Sequence, residues 1–131
     1  MFSEKNANAV KSMLETVMDS DGTGRFAQIE EWPVAGKTGT AQSLSPKGGY
    51  RHGKYIASFV CGAPVENPQL LVLVVVNQAT TGGEAFGGRV AAPAAAEILR
   101  QALEYRHIPP AISPTDDRVS RQAQRPANRP R

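Results

Sequence analysis

Ala35-Gly36-Lys37-Thr38-Gly39-Thr40-Ala41-Gln42 decides how this chain is read. A cation, two hydroxyls and a position without a side chain occupy four consecutive residues in strand-like sequence. Alternate side chains of a strand share a face, so Thr38 and Thr40 point together and Lys37 starts on the opposite side. Two hydroxyls about 7 Å apart on one face can donate to both oxygens of one carboxylate. Lys37 can curl round the strand to add positive charge, and Gly39 lets another group approach closely. The main-chain N–H of Thr40 is then a fixed donor toward a carbonyl oxygen gaining negative charge, worth roughly 3–4 kcal/mol of barrier. The tripeptide alone suits a solvated strand or turn as well, so the surrounding sequence has to decide.

Upstream, residues 3–19 read as an amphipathic helix with Ser3 as N-cap and Ala7, Val10, Met13, Leu14, Val17 and Met18 on its apolar face. Asp19-Ser20-Asp21-Gly22-Thr23-Gly24 supplies turn chemistry. Val34 to Ala41 is a first strand, followed by a polar, glycine-rich loop over 43–53. Tyr55 to Ala63 and Leu70 to Val76 are a second and third strand, joined by a short connection as an antiparallel hairpin. The third is an unbroken apolar run, which predicts burial on both faces and a central place in the sheet. Thr80 to Gly88 reads as a glycine-rich loop. A helix from Ala92 to Arg106 follows, with Pro93 in its first turn and Ile98, Leu99, Ala102 and Leu103 as its apolar face. The expected fold class is therefore α+β: a three-stranded antiparallel sheet with N- and C-terminal helices on one face. The other face of the third strand would need cover from outside this chain.

The chain has 131 residues and a net charge of +3, placed unevenly. Residues 1–110 carry ten basic and ten acidic groups; Arg118, Arg121, Arg125, Arg129 and Arg131 then face only Asp116 and Asp117. A neutral body argues against nucleic acid as a partner. Residues 1–110 are expected to form the folded unit, and 111–131 a disordered basic tail rich in Pro and Arg. The single cysteine, Cys61, lies in an apolar strand and reads as a buried structural thiol; no metal framework and no cofactor motif is present. The start of the chain is unlike a signal peptide and no stretch reaches the ~18 apolar residues of a membrane span. Taken as written, the chain is expected in the cytoplasm.

From Val34 through Pro110 the sequence resembles the C-terminal part of the transpeptidase domain of class B penicillin-binding proteins, particularly the septal cell-division kind. Lys-Thr-Gly is one of three motifs shared by penicillin-binding proteins and class A β-lactamases. The resemblance is carried by Val34 to Gln42, Gly49-Tyr50, Lys54 to Phe59, Ala63-Pro64, the Leu71–Val76 strand, Phe86-Gly87-Gly88, Val90-Ala91-Ala92-Pro93 and Ile108-Pro109-Pro110. It implies the penicillin-binding-protein and serine β-lactamase-like fold, and a D,D-transpeptidase that cross-links peptidoglycan by acyl transfer from D-Ala-D-Ala stem peptides. Lys37 would border the cleft and meet the substrate carboxylate or a serine of the middle motif. Thr38 and Thr40 would bind the terminal carboxylate of a stem peptide or β-lactam, with the Thr40 N–H as half of the oxyanion hole. Phe86 matches an aromatic position rimming the site, or else anchors its loop onto the body.

The other two motifs, Ser-x-x-Lys and Ser-x-Asn, occur nowhere in the 131 residues, so no nucleophile can be named. The leading expectation is a fragment, inactive alone, whose partners would be the missing N-terminal part of the domain and, in the parent, divisome proteins. The parent would be anchored at the extracytoplasmic face of the bacterial inner membrane. A non-catalytic module binding D-Ala carboxylates, or serving assembly, is the second reading, and a serine β-lactamase relative a weaker third.

Overall fold

Three strand-forming segments pair into a sheet. The computed structural model describes residues 3–46, 48–79 and 86–111. Strands β1 (Ala35–Leu44), β2 (Tyr50–Ala63) and β3 (Leu70–Ala79) form one antiparallel sheet in the order β1-β2-β3. Both hairpins connect strands adjacent in sequence, the shortest route for antiparallel neighbours. The loop expected over 43–53 is shorter than its composition suggested: β1 runs on to Leu44 and β2 begins at Tyr50. Strand pairing satisfies polar backbone that the glycines alone would have left as loop.

Register fixes the faces. Thr40 pairs with Ala57, Thr38 with Phe59 and Gly36 with Cys61, and these pair in turn with Val76, Val74 and Val72. That set faces a core containing Phe59, Cys61, Trp32, Val34 and Met18. Lys37, Gly39, Ser58, Val60, Leu73 and Val75 lie on the opposite face. The expectation of a central β3 is overturned: β2 is central and β3 is an edge. β3 also fails to bury both faces, because Leu71, Leu73 and Val75 are 75%, 60% and 55% exposed. No described residue packs over that side, so the apolar run is half covered.

The core face is closed by α3 (Ala92–Tyr105), which follows the short helix α2 (Gly87–Val90). Pro93 sits in the first turn of α3, where its missing N–H costs nothing. The buried stripe of α3 is Ala92, Ala95, Ala96, Leu99 and Leu103; Ile98, expected on it, is exposed. Small residues let the helix lie close on β2 and β3. Gly87 and Gly88, expected in a loop, form the first turn of α2. Residues 80–85 of that loop, and the expected disorder beyond 111, lie outside the described residues.

The N-terminal helix α1 spans Glu4–Glu15, with the Ser3 hydroxyl accepting from the Asn6 N–H at 3.3 Å. It ends sooner than expected, in a 3-10 turn over Thr16–Met18. None of its residues is buried, and Val10 and Met13 of its apolar stripe face solvent. Beyond its end, Met18 is buried in the core and Val17 packs against it. Trp32 Nε1 donates to the Pro109 carbonyl at 3.0 Å and the Ala111 N–H to the Glu31 carbonyl at 3.0 Å. These bonds tie the Ile108-Pro109-Pro110 segment to the body. Cys61 is buried, and burial pushes its thiol pKa up to about 11.

Candidate functional site

Three segments converge beside β1. The first is the core face of β1 itself, with Thr38 and Thr40. The second is the turn from Gly22 into a 3-10 helix over Arg25–Ala27. The third is Phe86 and the start of α2. Together they line a cleft of about 260 Å³ that includes Thr23, Arg25, Phe26, Thr38, Thr40 and Phe86.

Close backbone approach holds the three together. A Cβ on Gly87 would lie 2.1 Å from the Ser58 carbonyl oxygen, and one on Gly88 2.0 Å from that of Thr23. A side chain at either position would force α2 away from the sheet or the turn. On the other face, a Cβ on Gly39 would lie 2.5 Å from the side-chain Oγ of its strand partner Ser58, which donates to the Gly39 carbonyl at 3.3 Å.

Each threonine hydroxyl accepts one hydrogen bond. Lys37 starts on the opposite face and curls back, donating from Nζ to the Thr38 carbonyl at 3.0 Å and to Thr38 Oγ1 at 3.3 Å. The Gly87 N–H donates to Thr40 Oγ1 at 3.4 Å. A hydroxyl that already accepts has its single proton left to give. Thr38 Oγ1 offers its proton to Thr23 Oγ1 across a long 3.5 Å, where an anionic oxygen would compete well. Two O–H donors on one strand face, backed by an ammonium, are chemistry that can hold a carboxylate.

Of the residues singled out in the sequence, Thr38, Thr40 and Phe86 line the cleft; Lys37 reaches it only through Thr38, and Gly39 shapes the strand behind it. Phe86 is exposed at the rim. Sequence reasoning missed Thr23, Arg25, Phe26 and Arg89. The Arg25 guanidinium stacks on the Phe26 ring at 4.7 Å and that of Arg89 lies 5.9 Å from the same ring. In sequence Gly22-Thr23-Gly24 reads as a turn, although a threonine between two glycines is a hydroxyl presented on close-approaching backbone. Among the described residues no group of three His, Cys, Asp or Glu is placed to hold a metal ion, and no helix is long and apolar enough to cross a membrane.

Residues 1–100 match the family described as the penicillin binding protein transpeptidase domain. Stage V sporulation protein D of Bacillus subtilis is 39% identical over 84% of this chain, and peptidoglycan D,D-transpeptidase FtsI of Buchnera aphidicola 36% identical over 84%. The chain spans less than a fifth of either relative, 17% and 19%. The apo transpeptidase domain of Burkholderia pseudomallei penicillin-binding protein 3 superposes with a TM-score of 0.74 at 41% identity, over 86% of this chain and 33% of that one. Penicillin-binding protein 3 of Mycobacterium tuberculosis, solved with ampicillin, gives 0.72 at 28% identity, over 86% of this chain and 26% of its own.

Proposed function

The chain belongs to the penicillin-binding-protein transpeptidase family, and we propose that it supplies the carboxylate-binding wall of a peptidoglycan D,D-transpeptidase. One observation carries this reading: Thr38 and Thr40 share a strand face in the cleft, each hydroxyl accepting one hydrogen bond and having one proton to donate. A stem peptide ending in D-Ala-D-Ala, or a β-lactam such as the ampicillin bound by the mycobacterial relative, would place its carboxylate on those hydroxyls. Lys37 would hold the Thr38 hydroxyl in orientation and add positive charge.

The oxyanion donor follows from strand parity. In an antiparallel pair, alternate residues turn both main-chain groups toward the partner or away from it. β1 is an edge strand, and Lys37 Nζ reaches the Thr38 carbonyl. Thr40, two residues on, would turn its N–H to the same open edge. A penultimate D-Ala carbonyl set there would develop its negative charge against a fixed donor. Attack by a serine, departure of D-Ala and resolution of the acyl-enzyme by an amine complete the transfer. The serine, its lysine and the other oxyanion donor would come from outside these 131 residues. Residues 1–110 would then be the C-terminal part of the domain, with the apolar face at Leu71, Leu73 and Val75 covered by the rest of it. Phe86 would rim the site.

The missing Ser-x-x-Lys favours a second reading, in which the chain binds D-Ala carboxylates without catalysis. A labelled-penicillin gel separates the two. The chain alone should give no covalent adduct. The product of the reading frame extended upstream should give one, weakened by Thr38→Val. An adduct on the chain alone contradicts the assignment, and none on the extended product supports the binding module.

A further inference from the structure

The cleft carries more positive charge than one carboxylate needs. Its threonines already have Lys37 behind them. The turn leading out of Thr23 adds Arg25, and α2 adds Arg89, both against Phe26. None of the described residues lining the cleft is acidic, although residues 1–110 carry equal numbers of basic and acidic groups. Stacking on Phe26 uses the π-face of the Arg25 guanidinium and leaves its in-plane N–H donors to meet an anion. The cationic groups thus fall in two patches, one behind the strand and one at the turn.

We propose that Arg25 reads a second carboxylate, so that the preferred ligand is a peptide with one carboxylate at its C-terminus and another further back along the chain. This rests on the carboxylate wall proposed above and adds a selection that the threonines cannot make. Arg25 is a specificity residue, taking no part in bond making.

Two small peptides isolate its effect. N-acetyl-D-Ala-D-Ala has one carboxylate; N-succinyl-D-Ala-D-Ala has a second on its cap. Their dissociation constants for the 131-residue chain can be compared at low salt by ligand-observed saturation-transfer NMR, which needs only micromolar protein. The succinyl peptide should bind about three- to fivefold more tightly, the upper part of the range for an exposed ion pair. Arg25→Gln should abolish that preference, weakening the succinyl peptide more than the acetyl peptide until the two bind alike, and Arg25→Lys should keep most of it. Equal binding by the wild type, or a preference that survives Arg25→Gln, overturns the proposal. Failure of the threonine wall looks different: acetyl-peptide binding would then be indifferent to Thr38→Val, and this proposal would fall with it.

Discussion

Replacing Gly87 with alanine tests how the cleft is held together. Gly87 is not among the residues with left-handed backbone, so the cost is steric. The new Cβ would lie 2.1 Å from the Ser58 carbonyl oxygen and 3.1 Å from that of Gly39. Both are backbone atoms of paired strands and cannot swing aside. Reaching even 3.0 Å requires α2 to lift by roughly 1 Å. Ala91 and Ala92, fully buried just beyond α2, resist that movement. Overpacking of this kind costs about 1–3 kcal/mol, and losing the Gly87–Thr40 hydrogen bond about 1 kcal/mol more. A destabilisation of about 2–4 kcal/mol in urea unfolding is expected, with a fall in Tm of about 10 °C. Gly49→Ala is the control: its φ is +73° with nothing within 4 Å, so only conformation opposes it, at about 1 kcal/mol. If Gly87→Ala stays within about 0.5 kcal/mol of wild type, or costs less than Gly49→Ala, the close approach of α2 to β1 and β2 is refuted.

Threonine at Leu71, Leu73 and Val75 together should change unfolding free energy by no more than about 0.5 kcal/mol per site, while lowering dye binding and self-association in sedimentation. A loss of several kcal/mol would mean that this face is already packed within the chain. Cys61 should resist a thiol reagent at pH 8 in the folded chain and react once urea unfolds it; fast labelling of the native state would contradict its burial. Because folding raises the Cys61 pKa from 9.0 to about 11, the folded state holds its proton longer. Its contribution to stability should be complete below pH 9 and lost as pH rises toward 11, on the order of 2 kcal/mol. Urea titrations across that range on wild type and Cys61→Ser would check it, the serine variant lacking the thiol-linked fall.

The elements were legible because their signals are local. Ser3 caps α1, Pro93 opens α3, and two apolar runs with a turn between them make the β2–β3 hairpin. What escaped was relational. The apolar run of β3 reads the same whether a strand is central and doubly covered or an edge with one bare face; only its neighbours decide. α1 shows the same limit: of its apolar stripe, Val10 and Met13 are exposed, while Val17 and Met18, beyond the helix's end, reach the core. At the cleft, Thr38 and Thr40 were visible through strand alternation, and Phe86 through the family resemblance. Arg25, Phe26 and Thr23 come from a turn fifteen residues upstream of Thr38, and tertiary contacts such as the packing of Gly88 against Thr23 bring that turn to β1.

The carboxylate wall itself is tested most directly by binding of N-acetyl-D-Ala-D-Ala to the wild type, Thr38→Val and Thr40→Val. Valine keeps the shape and strand preference of threonine and removes only the hydroxyl. Each variant should lose about tenfold or more in affinity, as expected for one hydrogen bond to a charged group; both should still unfold cooperatively, with Thr40→Val less stable by about 1 kcal/mol because the Gly87 N–H loses its acceptor. Binding that is equally strong in all three would contradict the claim that these hydroxyls hold the carboxylate.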